Sequence, residues 1–129
     1  MIYIILNLVP IAVATVTGLA IGLVWLGANR ARVGTALAMV AALAEFWLAA
    51  ILAGALILAP AKAPPWVMAL ASAGVIWAGF VLPVIVVTGI RRGQLPAAVL
   101  GDALHWLVVM VAQAVVLKAI GLVPPPPGV

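Results

Sequence analysis

The chain has 129 residues, 69% of them hydrophobic and 6% charged, with six Lys and Arg against two Asp and Glu. So few polar groups cannot cover the surface of a water-soluble domain of this size, and six scattered basic residues form no patch for a nucleic acid despite the net charge of +4. With no cysteine there is no disulfide framework and no thiolate metal site.

What remains is a set of long apolar runs. Residues 1–29 carry no charge, 33–61 carry only Glu45, 63–90 carry none and 93–117 carry only Asp102; mean hydropathy is +1.45. A helix crosses a bilayer with about 20 apolar residues, so each run can span. The pattern predicts an all-α polytopic membrane protein: one membrane domain over 1–129 that forms a four-transmembrane-helix bundle. A barrel would need about eight alternating segments, and no alternation is present. The first run is too long for a leader's apolar region and has no basic segment before it, so it reads as a retained helix.

Helix 1 is expected over about 2–26. Pro10 lies inside it, so either the helix kinks there or its regular part starts there. Helix 2 is expected over about 35–59 with Thr35 as an N-cap, and Pro60, Pro64 and Pro65 then form a stiff turn. Helix 3 covers about 66–90. Pro83 cannot donate to the Gly79 carbonyl, which predicts a kink. Helix 4 starts near Pro96 and runs to about 122, followed by a proline-rich tail, 123–129, that reads as polyproline II outside the bundle.

Arg30 and Arg32 lie in the first connection, Arg91 and Arg92 in the third, and only Lys62 and Lys118 at the other face. The positive-inside rule then places loops 27–34 and 91–95 in the cytoplasm of a bacterial inner membrane and both termini on the non-cytoplasmic side. Trp25 and Trp66 fall at the two interfaces, and Lys118 can snorkel outward. Glu45 follows Arg32 at the same interval at which His105 follows Arg92, a weak internal repeat of the two hairpins.

Ionisable residues at membrane depth are expensive and mark candidate sites. Glu45 and His105 both fall about 14–16 Å from the cytoplasmic ends of their helices, with Asp102 one turn nearer the cytoplasm. Asp102, Val109, Gln113 and Ile120 share a stripe of helix 4, flanked by His105 and Trp106. Glu45 is therefore expected to meet His105 or Asp102 inside the bundle, either as structural glue or as a proton-coupling or ligand-binding group. Gln113 completes the candidate set. No cofactor is predicted. Gly101, four residues before His105, leaves room for a tetrapyrrole on that imidazole as a distant alternative. Close helix contacts are expected at Gly18 and Gly22 on helix 1, at Gly74 and Ala78 on helix 3, and along Ala41, Glu45, Ala49 and Ala53 on helix 2. Asn7, Thr15, Thr17, Ser72 and Thr88 read as backbone or interhelical hydrogen bonders, and Trp47 and Trp77 as packing residues.

GLAIGLVW at 18–25, IWAGFVLP at 76–83 and LGDALHWLVVMVAQAVVLKAIG at 100–121 resemble the domain of unknown function 1761 family of small bacterial membrane proteins. That family has a glycine-rich first helix ending in Trp-Tyr, a Trp-x-Gly-Phe stretch in helix 3 and an Asp at the start of helix 4. Trp77, Gly79, Phe80 and Asp102 fit, whereas Trp25 is followed by Leu26 instead of Tyr. The resemblance implies a four-helix membrane domain and no activity.

Catalysis is not expected. Ser72 is the sole serine, His105 has no second histidine beside which to hold a metal, and no glycine loop cradles a phosphate. The leading expectation is an accessory or scaffolding subunit whose partners are the lipid bilayer and other membrane subunits or copies of itself. The alternative is a small homo-oligomeric, proton-coupled carrier using Glu45 with His105 or Asp102. Small multidrug exporters, similar in size, carry their acid in helix 1, which here has none.

Overall fold

The computed structural model describes residues 2–28 and 34–128. Arg30 and Arg32, half of the arginines behind the predicted orientation, with Arg32 one anchor of the predicted repeat, lie outside the described residues. Every regular element described is helical: α1 (Ile2–Leu6), α2 (Leu8–Ala28), α3 (Thr35–Leu58), α4 (Pro65–Ile76), a π-helical turn (Trp77–Val81), α5 (Leu82–Arg91) and α6 (Pro96–Ile120). Four stretches, Leu8–Gly27, Thr35–Leu58, Pro65–Arg91 and Pro96–Ile120, are long and apolar enough to cross a bilayer, which makes this a multi-pass membrane protein with a four-helix bundle.

The breaks follow from proline. Pro10 has no N–H for the Leu6 carbonyl, and the first span is interrupted at Asn7, one turn before the proline itself. Asn7 reinforces the turn before the break: the Tyr3 carbonyl accepts both its backbone N–H at 3.0 Å and its side-chain amide at 2.8 Å. In the third span Pro83 is absorbed by the π turn, in which the Leu82 N–H reaches back to the Trp77 carbonyl. Thr35 is the first helical residue and not the cap; Gly34 takes that place without a side-chain bond. Between α5 and α6, Gly93 at φ 67° ends α5, with its N–H on the Ile90 carbonyl and the Gln94 N–H on the Gly89 carbonyl. That is a Schellman turn, which favours glycine at its left-handed position.

The hub is α6, which packs against α2, α3, α4 and α5. The core comprises Ile11 and Ala14 of α2, Ala49, Ala50, Leu52 and Ala53 of α3, Ala73 of α4, and Met110, Ala114 and Leu117 of α6. Trp77 fixes the third span to α6 by donating its indole N–H to the Ala103 carbonyl at 2.8 Å.

The tail does not leave the bundle at once. The Asn7 amide donates to the Val123 carbonyl at 2.8 Å, and the Val123 N–H donates to Asn7 Oδ1 at 2.7 Å. This two-point tie holds the start of the first span and the end of the last at one end of the bundle, as four spans require.

The small-residue expectations split. Gly18 is buried at a close helix contact, whereas a Cβ built on Gly22 or Gly74 would meet nothing within 4 Å, and Ala78 is exposed. On α4 the packed stripe is Ala69 and Ala73, about 100° round the helix from the predicted Gly74 and Ala78. In an alanine-rich helix every face carries small residues, so their spacing does not select one.

Candidate functional site

Glu45 sits on the buried face of α3, in line with Ala49 and Ala53, and is 4% exposed. Its expected partners, His105 and Asp102, do not bond to it. Its partner is Gln113 of α6, fully buried, whose Nε2 donates to Glu45 Oε2 at 2.6 Å and reaches the Glu45 carbonyl at 3.4 Å. The correction is one of register. The equal-depth expectation took both helices to start at one level, but Glu45 lies level with a residue two turns beyond His105, about 12 Å further along α6.

Gly18 makes this pairing possible. A methyl group on it would overlap Glu45 Oε2 and stand 2.8 Å from Gln113 Nε2. The three helices α2, α3 and α6 thus converge on one polar contact, with the backbone of α2 as its lid. Gln113 Oε1 is buried without a hydrogen-bond partner, and no donor among the described residues reaches Glu45 Oε1.

Below this contact, towards the 27–34 connection, lies a cavity of about 320 Å³ between α2, α3 and α6. Leu19, Gly22, Leu23 and Leu26 form one wall, and Leu37, Ala38 and Ala41 another; Glu45, His105 and Trp106 supply its polar and aromatic groups. Its volume is within the range of ordinary small-molecule sites, about 300–1,000 Å³. The side-chain space that Gly22 and Ala41 forgo is cavity rather than helix contact.

His105 reaches the cavity but not the Glu45–Gln113 contact. Its ring stacks on Trp25, centroids 5.2 Å apart and planes 28° apart, and meets Trp106 edge-on at 5.6 Å. His105 Nδ1 is buried without a partner among the described residues. The Trp25 indole lies 3.7 Å from where a Cβ on Gly101 would be, so the room beside Gly101 receives an indole from α2.

Asp102 belongs elsewhere. It is exposed, and it lines a separate groove of about 210 Å³ with Thr88, Gly89, Arg92, Gln94 and Trp106. Ile120, also predicted on the polar stripe, is exposed, while Val109 and Gln113 are buried. Lys118 lines two other pockets at the other end of the bundle, remote from Glu45. Of the predicted set, Glu45 and Gln113 touch, His105 lines the same cavity as Glu45, and Asp102 does neither. The cavity's leucines carried no signal in the sequence, because a leucine beside a void and a leucine facing lipid look the same.

Comparison with protein-family models, curated proteins and solved structures finds no match to this chain.

Proposed function

We propose that this protein binds a small lipophilic molecule within the bilayer, in the cavity between α2, α3 and α6, and serves as a small carrier. The observation that supports this reading is a buried carboxyl group lining a largely apolar cavity. A polar group at that depth is expensive and belongs with function by default. One carboxyl can hold a proton or a ligand group in turn, which is the chemistry of an exchanging carrier. A second copy closing the open side of the cavity would complete a pathway. Orientation with the arginine connections in the cytoplasm of a bacterial inner membrane follows from the four-to-two distribution of basic residues. The resemblance to the domain of unknown function 1761 family supports the four-helix membrane domain and supplies no activity.

A test uses the full chain extracted from its native membrane. Native mass spectrometry should find a small molecule retained by the wild type and lost from Gly22→Phe, whose Cβ has open space and whose ring would fill the cavity. Equal spectra, free of any bound molecule, would overturn the reading.

A second reading, an accessory subunit of a larger assembly, draws on the third span. Only Ala69, Ala73 and Gly89 of Pro65–Arg91 are buried, which leaves a long apolar face for another membrane chain. A partner at fixed stoichiometry in the same experiment would favour it.

A further inference from the structure

Resting on the binding reading above, we infer that the occupant of the α2–α3–α6 cavity is a lipophilic cation, held by Glu45 at one end and by aromatic faces at the other.

The described part of α2 has no charged residue, α3 has only Glu45, and the remaining charged groups of α6 lie elsewhere, Asp102 in its own groove and Lys118 at the far end. No cationic side chain among the described residues compensates Glu45. Its one bond, from Gln113, uses Oε2 and leaves Oε1 without a donor. The cavity therefore presents an acceptor with unused capacity and, among the described residues, no lysine or arginine, a field that favours a positive ligand over an anion as long as the His105 imidazole is neutral.

The walls select the rest of the ligand. Seven of the ten lining residues are Leu, Ala or Gly, among them Leu19, Leu26, Leu37 and Ala41, so most of the occupant must be hydrocarbon. Trp106 and the imidazole of His105, itself backed by Trp25, offer ring faces and edges. A cation within about 6 Å of an aromatic face gains from the ring quadrupole, more so away from water. A delocalised or alkyl-shielded cation meets both demands, because it loses little hydration on entering lipid and gains a counter-charge inside it. A small hydrated metal ion meets neither, since the cavity offers it a single carboxylate.

The test uses three probes of similar shape and different charge: tetraphenylphosphonium, tetraphenylborate and neutral triphenylphosphine oxide. Each is titrated against the full chain in phosphatidylcholine nanodiscs, with empty nanodiscs as the blank. Tetraphenylphosphonium should bind saturably. Glu45→Gln, which keeps an acceptor for Gln113, should weaken it on the order of tenfold or more. Tetraphenylborate should show only the blank's partition. Bound tetraphenylphosphonium should also slow modification of wild-type Glu45 by dicyclohexylcarbodiimide, a readout that needs no variant to fold. If the borate or the phosphine oxide binds as well as the phosphonium and Gly22→Phe abolishes both, the cation inference falls and the cavity reading stands. Should Glu45→Gln bind tetraphenylphosphonium like the wild type, or carbodiimide modification proceed unprotected, the inference also falls. If no probe binds above the blank, or if Gly22→Phe changes nothing, both readings fall.

Discussion

The third span and the last one invert the usual relation between apolarity and burial. Pro65–Arg91 is the most apolar of the four spans, and three of its 27 residues, Ala69, Ala73 and Gly89, are buried; Pro96–Ile120 is the least apolar, and seven of its 25 are buried. In water the order would be reversed. Lipid is as apolar as leucine, so an apolar side chain gains nothing by turning inward, and close packing and polar contacts decide which helix sits at the centre. α6 holds the centre because it carries Gln113 and a run of small residues, Ala103 and Ala114 among them. The third span stays at the rim, held by Trp77, Ala69 and Ala73.

That contrast breaks hardest at Gly18. Replacing it with Ala should be damaging, because the added methyl overlaps Glu45 Oε2 and crowds Gln113 Nε2, and the two side-chain ends must shift and give up their hydrogen bond to admit it. A loss of about 3 kcal/mol, the upper end of ordinary overpacking, is expected in reversible unfolding by sodium dodecyl sulfate followed by circular dichroism. A loss below the noise would show that α2 can stand off from α3 and α6, and the convergence described above would then be wrong.

Next comes the polar contact itself. Gln113→Leu strips the Glu45 carboxyl of its one hydrogen-bond donor among the described residues and should cost about 1–3 kcal/mol in the same assay. The double variant Glu45→Leu with Gln113→Leu removes both buried polar groups and should recover most of that loss. The cycle's coupling should come to about 1–2 kcal/mol, as for a good interhelical bond in a membrane. Simple additivity would mean that the pair does not hold the helices together.

These two predictions mark what the sequence made legible. Four spans, their approximate ends and the candidates Glu45 and Gln113 could be read, because apolar run length and isolated polar residues are local properties. Which residue Glu45 meets could not be read, since that depends on the stagger between α3 and α6, and stagger is set by packing along both helices. The same gap explains Asp102: a helical stripe predicts which residues share a face, not which face turns inward. Gly18 and Gly22 differ by one turn and one identical letter, yet one is a contact and the other a cavity wall. Asn7 was legible as a hydrogen bonder but not as the tie to Val123, because nothing local joins residues so far apart in the chain.

At the rim, Trp77→Phe removes the indole bond to the Ala103 carbonyl while keeping an aromatic ring. About 1 kcal/mol should be lost, with a change in near-ultraviolet circular dichroism as the π turn loses its attachment to α6. The polar core should be untouched, so tetraphenylphosphonium binding should hold. A collapse of binding in this variant would mean that the third span does more for the cavity than its position at the rim implies.

The smallest effect should also have the opposite sign. Gly74 lies in α4, half-buried, and a Cβ there would meet nothing within 4 Å. Ala at this position adds helix preference without a collision, and roughly 0.5–1 kcal/mol of stabilisation is expected, because glycine loses the most backbone freedom in a helix. Gly18→Ala and Gly74→Ala are the same chemical change in two helices of one bundle, and the surroundings alone decide whether the methyl is harmful or helpful. If Gly74→Ala instead destabilised the protein in detergent, or disrupted a complex in its native membrane, the third span would have a close neighbour at that face. The accessory-subunit reading would then gain the contact it lacks in a single chain.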